Sequence, residues 1–173
     1  MQWGILSTAR INDKLAFMYR HHPQTRRLAE PVRSGAIGRL RMIRAAAQQS
    51  LGGDVAFTGT MRFPDDVLAH FDAGMDLAVR DELEVVGDAG TLLLEDPWHC
   101  RTPGIALRGD GGAERIEVGH ADSYMLEAEN MSAAIRGDAE PLLGRADAVG
   151  QAAPIEALYE AAADGGTGVS GDR

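Results

Sequence analysis

Residues 57–63 read Phe-Thr-Gly-Thr-Met-Arg-Phe, an alternation of apolar and polar side chains that decides the fold class. Successive side chains of a β-strand point to opposite faces, so Phe57 and Met61 fall on one side of an extended chain. Thr60 and Arg62 fall on the other side. The stretch therefore predicts a strand with one apolar face and one mixed face.

Similar strand-like stretches recur along the middle of the chain, at residues 40–46, 67–71, 77–86, 91–94, 104–108 and 115–118. Short turn-forming segments separate them, among them Asp72-Ala73-Gly74, Gly87-Asp88-Ala89-Gly90 and Gly109-Asp110-Gly111-Gly112. Connections of this length have no room for crossover helices. An antiparallel meander of about six to eight strands is therefore expected.

Helices are predicted on both sides of this strand-rich region. The first runs from Pro23 to Ser34, and the last runs over residues 147–163. Between them, residues 123–136 place Met131 and Ile135 on one apolar stripe, which we expect to pack against the sheet. The predicted fold class is α+β, an open and mainly antiparallel sheet with helices packed on one face.

Composition excludes several classes of function. The chain has 173 residues, of which 45% are hydrophobic, and a formal net charge of -9, as expected for one globular domain. This acidic balance disfavours nucleic acid and anionic membrane surfaces as partners. No leader or membrane-spanning run is apparent, so a cytoplasmic location is expected. Cys100 is the only cysteine, which excludes an intramolecular disulfide.

Several motifs, taken in order along the chain, resemble those of a known enzyme family. They are WGILSTARI at residues 3–11, MYRHHPQ at 18–24, RSGAIG at 33–38, ENM at 129–131 and IEALY at 155–159. Together they resemble the Gfo/Idh/MocA family of NAD(P)-dependent oxidoreductases, especially its sugar and dihydrodiol dehydrogenase branch. The resemblance implies a cofactor-binding Rossmann domain followed by an open-sheet domain that shapes the substrate site and joins subunits.

Measured against this family, most of the Rossmann domain is missing from the sequence. Residues 1–15 resemble a remnant of its first strand and turn, in which Gly4, Ser7 and Thr8 are the remaining cofactor-side candidates. Residues 16–163 resemble the open-sheet domain, and 164–173 are expected to form a flexible tail. Several βαβ units are needed to hold a dinucleotide, so no NAD or NADP is expected on this chain.

The proton-transfer chemistry of the family is also hard to locate. The resemblance implies a Glu-Lys-Pro motif, whereas Lys14 is the single lysine and precedes leucine. The chain is therefore expected to lack the activity of the family by itself. A strand-like stretch at residues 15–19 leads into the polar residues that remain as substrate-side candidates, namely Tyr19, Arg20, His21 and His22. His99, Cys100 and His120 are too few and too scattered to predict a metal site, so none is expected.

Three functions remain open. The first is a truncated, natural or engineered, and catalytically inactive member that self-associates through its sheet. The second is an oxidoreductase subunit whose cofactor domain comes from another chain, and the third is a non-catalytic module that binds a sugar-like ligand near residues 19–22. For the first we expect a homodimer through the mixed face, with interface residues Arg62, Arg80, Glu82 and Glu84.

Overall fold

A computed structural model describes residues 17–50 and 56–165 of the chain. These residues form seven strands and three helices. The strands are β1 (Leu40–Ser50), β2 (Ala56–Arg62), β3 (Leu68–Gly74), β4 (Asp76–Gly87), β5 (Gly90–Leu94), β6 (Ile105–Gly109) and β7 (Gly112–Ile116). The helices are α1 (Pro23–Arg33), α2 (Ser123–Arg136) and α3 (Arg145–Ala163).

All seven strands belong to one open sheet in the order β2-β3-β1-β4-β5-β6-β7. The predicted α+β class with a mainly antiparallel sheet is confirmed. The expectation of a simple meander is correct from β4 to β7 but wrong before it, because β3 lies parallel to β1. The β2–β3 hairpin adds to the far side of β1, so β1 becomes a central strand between β3 and β4.

The predicted turn at Asp72-Ala73-Gly74 is also wrong, since these residues are the end of β3. Asp72 lies opposite Ala46 of β1 and Thr58 of β2. With strands pairing on both sides, the ladder outweighs the turn preference of Asp and Gly, since strand formation depends strongly on tertiary context. The chain changes direction at Met75, the single residue between β3 and β4.

The register of the sheet separates two faces. On the core face, Ile43 of β1 lies opposite Val85 of β4, and Val85 lies opposite Leu92 of β5. Val85 is 1% exposed and Leu92 is fully buried. The core face also carries Ala69, Phe71, Leu83 and Leu94, all of them buried.

The mixed face is the opposite side of the same strands. A row of side chains crosses four strands in register, from Thr60 to His70, then to Arg44, and on to Glu84. The mixed face also carries Thr58, Arg62, Arg80, Glu82 and Leu93. The alternation seen in the sequence therefore assigns the mixed face correctly.

A tight hairpin between β4 and β5 fastens the end of α1 to the sheet. Ile37, just after α1, is fully buried, and its carbonyl accepts the N–H of Ala89 at 3.0 Å. A Cβ at Gly87 would overlap that carbonyl. Glycine at this position allows the two backbones to approach, so the hairpin residues serve packing as well as the turn.

Helix α1 has nearly the predicted bounds. His22 caps its N-terminus, and Pro23 occupies the first turn, where a missing N–H costs nothing. At the other end the Ala36 N–H donates to the Pro31 carbonyl at 2.9 Å, and Gly35 adopts a φ of 78°. This left-handed C-terminal cap favours glycine and stops the helix. The buried Pro31 lies inside the helix near this end.

Helices α2 and α3 form as predicted, but the stripes expected to be buried are not. Met131 and Ile135 are 51% and 79% exposed, so their assignment to the core is wrong. Val149 and Tyr159 of α3 are exposed as well. Helical spacing specifies which side chains share a stripe, but burial requires a surface to cover that stripe. No described helix combines the length and apolar character needed to cross a membrane.

The chain divides into two compact units at the boundary between Glu129 and Asn130. The sheet and α1 belong to the first unit, and α3 belongs to the second. In the second unit the Asn130 side chain accepts the Leu142 N–H at 2.8 Å. The predicted remnant at 1–15 and most of the predicted tail at 164–173 lie outside the described residues.

Candidate functional site

The polar segment that precedes α1 forms a short 3-10 turn over Met18–Arg20. Tyr19 packs edge-on against Trp98, with ring centroids 5.5 Å apart. Trp98 in turn donates its indole N–H to the Ala46 carbonyl of β1 at 2.9 Å. The aromatic pair therefore connects this segment to the loop between β5 and β6 and to the central strand.

His22 is fully buried at the start of α1. Its Nδ1 accepts the Gln24 N–H at 3.1 Å, which places the imidazole proton of the neutral ring on Nε2. Nε2 is buried. Burial lowers the pKa of His22, and the Ala121 backbone and Asp96 oppose this only in part. His22 is a neutral capping residue.

His21 is also buried, with 8% of its surface exposed. Its pKa is lowered by burial first and then by the charges of Arg20 and Arg26. The four substrate-side candidates thus lie in one segment, but the two histidines are withdrawn from solvent. The role of Tyr19, Arg20, His21 and His22 in binding a substrate stays a prediction.

Gln24 is a polar residue that the sequence analysis did not single out. It is fully buried, and its amide holds the β5–β6 loop at both ends. Nε2 donates to the Asp96 carbonyl at 3.0 Å, and Oε1 accepts the Gly104 N–H at 2.7 Å. A buried glutamine one residue after Pro23 gives no distinctive pattern in the sequence, because its partners are more than 70 residues away.

A cleft of about 530 Å³ opens beside this loop. Its lining includes Met18, His99, Arg101, His120, Ser123 and Tyr124. Ser123 is 5% exposed and lies beside the Cys100 thiol. The lining therefore combines imidazole and guanidinium groups with an apolar methionine. This composition suits a small polar ligand.

Cys100 also lines the cleft, but its thiol is inert. Burial, followed by the nearby Asp96 carboxylate, raises its pKa to about 12, and Ser123 only partly opposes this. The thiol donates weakly to the Pro97 carbonyl at 3.5 Å. A thiol that stays protonated is a poor nucleophile at neutral pH. Among the described residues, Cys100 and His120 do not belong to the group of closely spaced potential ligands that contains His99.

His99 instead faces two carboxylates. Its Nδ1 lies 3.3 Å from Oδ2 of Asp81 and 3.8 Å from Oδ1 of Asp96. The two aspartate side chains are 16% and 14% exposed, and that of His99 is 30% exposed. Burial raises the pKa of Asp81, and the Asp96 charge adds to this while His99 opposes it. This cluster lies on the core face, since Asp81 pairs with Ala47 of β1.

The four predicted interface residues lie on the mixed face, and each has an ionic partner within the chain. Arg80 contacts Glu82 at 2.9 Å, and Arg62 contacts Asp66 at 3.1 Å. Glu84 contacts Arg44 at 2.7 Å. The ion pairs expected between two copies would thus compete with ion pairs already made within one chain. The remnant cofactor residues Gly4, Ser7 and Thr8 lie outside the described residues.

Comparison with known proteins gives matches by structure only. No family model matches the chain, and no curated protein matches its sequence. The NADP-bound 3-ketoreductase KijD10 from Actinomadura kijaniata, in an open conformation with TDP-benzene, matches with a TM-score of 0.73 and 18% identity. An aldose-aldose oxidoreductase from Caulobacter crescentus, complexed with glycerol, matches with a TM-score of 0.74 and 16% identity.

The alignments cover 83% and 87% of this chain but only 59% and 61% of those two proteins. The chain thus spans less than two thirds of the length of the structures it matches. At these identities the likeness concerns the fold. The chain shares the fold of the larger part of both enzymes.

Proposed function

We propose that this chain is an open-sheet domain of the Gfo/Idh/MocA type that self-associates through its mixed face and does not transfer hydride by itself. The observation that carries the proposal is the charge pattern of the mixed face. Arg44, Arg80, Glu82 and Glu84 occupy two adjacent strands on that face, with side chains 31% to 55% exposed.

Such a face suits a two-fold contact with its own copy. A symmetric dimer places the same patch on both sides, so the patch must carry both signs of charge. Arg80 and Glu82 meet this requirement, because an ion pair within one chain can be exchanged for a pair between chains. No charge is then left without a partner, and charge complementarity sets the register of the two copies.

The second part of the proposal concerns catalysis. A dinucleotide needs βαβ units, whose parallel strands present a helix N-terminus to the pyrophosphate. Among the described residues the only parallel strand pair is β1 with β3, and the chain between these two strands contains the β2 hairpin strand. The described helices connect no parallel strands. This architecture supports a chain that needs another domain for hydride transfer.

Sedimentation velocity at micromolar concentration tests the self-association. The expected result is a dimer that dissociates when Arg80→Glu places three acidic side chains together on β4. Arg136→Glu is a matched control, because Arg136 belongs to the other compact unit and makes a similar exposed ion pair with Asp138, two residues further along the chain, at 2.8 Å. A wild-type monomer, or a dimer that both variants weaken equally, contradicts the mixed face as the interface.

NADPH fluorescence and absorbance test the catalytic part. The chain alone is expected to bind neither NADPH nor NADH at micromolar concentration and to reduce no keto sugar. Turnover by the purified chain would contradict the proposal.

The cleft favours a second candidate function, a module that binds a small polyhydroxylated ligand. Its lining of Arg101, His120 and Tyr124 offers hydrogen-bond donors and an aromatic ring on one side of the sheet domain. Thermal-shift titration with monosaccharides tests this candidate. A rise in melting temperature with a sugar, lost in His120→Ala, supports this candidate function. A melting temperature that no sugar changes contradicts it.

A further inference from the structure

The cluster of Asp81, Asp96 and His99 is separate from the mixed face and from the hydride chemistry considered above. Two elements bring it together, because Asp81 belongs to β4 whereas Asp96 and His99 lie in the loop after β5. One ligand atom from each residue lies within 4.8 Å of the other two. Among the described residues this is the one group with such spacing.

The spacing has the dimensions of a metal site. Zinc binds imidazole nitrogen and carboxylate oxygen at about 2.0–2.2 Å, which puts neighbouring ligands of a tetrahedral site roughly 3.3 Å apart. The Nδ1 atom of His99 lies 3.3 Å and 3.8 Å from the carboxylate oxygens of Asp81 and Asp96. The first distance matches that ligand spacing, and the second exceeds it by 0.5 Å.

An independent observation is the second oxygen of Asp81. Oδ1 is buried and has no hydrogen-bond partner among the described residues. A buried carboxylate oxygen without a partner is costly, and here a second carboxylate lies in the same cluster. His99 and the nearby Arg101 are the cationic groups that act on Asp81, and a bound divalent cation would add to this neutralisation of the two carboxylates.

The surroundings hold the ligands in place. Asp96 Oδ2 accepts the N–H groups of Arg101 at 2.6 Å and Thr102 at 3.2 Å. Asp81 is fixed by strand pairing with Ala47. His99 also lines the 530 Å³ cleft, which gives the site a route to solvent. Oriented ligands and an entry path are what a metal site requires in addition to its distances.

We propose that Asp81, Asp96 and His99 form a binding site for a divalent transition metal of the zinc class. Of the three ligands His99 alone lines the cleft, so an open fourth position on that side would take water or an oxygen of a small ligand. Three protein ligands with one open position are typical of catalytic rather than structural zinc sites.

Equilibrium dialysis of the purified full chain against Zn²⁺ alone, after removal of metal by EDTA, tests the proposal. One zinc per chain is expected, with at least a tenfold loss of affinity in Asp81→Asn and in His99→Ala. Asp110→Asn, in the exposed β6–β7 turn, is the matched control and should bind zinc as the wild type does. Circular dichroism of each variant checks that it is folded.

Cobalt substitution provides a second readout. The Co²⁺-loaded wild type should show the intense visible absorption of a tetrahedral site, and folded His99→Ala should lose it. Absence of stoichiometric zinc, or binding that both variants retain, overturns the proposal. Sedimentation reports on the mixed face and dialysis reports on this cluster, so the two proposals can fail separately.

Discussion

The core face and the mixed face are built from the same strands, yet they contribute differently to the protein. Adjacent residues of β5 illustrate this, since Leu92 is fully buried on the core face and Leu93 is half-buried on the mixed face. The core face buries Val85, Leu92 and Leu94. The mixed face carries exposed ion pairs, such as Arg44 with Glu84. Apolar burial supplies stability, whereas exposed ion pairs contribute little to it.

Leu92→Ala and Leu93→Ala give the largest effect and the most direct test of this comparison. Removing the buried Leu92 side chain should lower the free energy of unfolding by about 2 to 5 kcal/mol. Leu93→Ala removes the same atoms from the other face and should cost about 1 kcal/mol. Denaturant titration measures both. Equal losses would show that the two faces do not differ in burial as described.

Gln24→Met gives the next largest effect. The variant keeps the size of the side chain but leaves the Asp96 carbonyl and the Gly104 N–H without their partner. Each unpaired buried group costs about 1 to 3 kcal/mol. Thermal unfolding should show a clear loss of stability, together with easier proteolysis of the β5–β6 loop. A variant as stable as the wild type would mean that the glutamine does not hold this loop over the core face.

A pH dependence follows from the buried histidines beside the core face. The pKa of both His21 and His22 is lowered in the folded state, mainly by burial. Below pH about 6.5 the unfolded chain therefore binds protons that the folded chain does not, and stability falls as pH decreases. His22→Asn keeps a capping side chain without a titrating ring and should flatten the dependence between pH 7 and 5.5.

His70→Asn, at an exposed histidine of the mixed face, is the control for this experiment. Urea titrations at four pH values give the free energy of unfolding of each variant, and these values give the slope of stability against pH. If His22→Asn and His70→Asn reduce the slope equally, the pH dependence of stability arises from surface charge and not from the buried ring.

The smallest effect is expected for the Arg44–Glu84 pair on the mixed face. Its side chains are 55% and 31% exposed, so water and salt screen the attraction. A double-mutant cycle with Arg44→Ala and Glu84→Ala should give a coupling of about 0.2 to 1 kcal/mol in the monomer. A coupling well above this range in a dimeric sample would mean that the pair also acts between copies.

The fold was largely predictable from local pattern, and the candidate site was not. Alternation at residues 57–63 and the capping residues of α1 are local signals, and both were interpreted correctly. The cluster at Asp81, by contrast, brings β4 together with a loop that begins more than ten residues later. Sequence spacing suggested Cys100 and His120 as neighbours of His99, whereas the folded chain supplies two aspartates.

The sequence by itself determined the α+β class, the assignment of residues to the two faces, and the start and end of α1. These depend on interactions between residues a few positions apart, where strand and helix periodicity apply. Tertiary structure alone decided that β3 pairs parallel to β1 and that Met131 and Ile135 stay exposed. Only tertiary structure grouped Asp81, Asp96 and His99. Such outcomes depend on which distant surfaces meet, and local propensity carries no information about that.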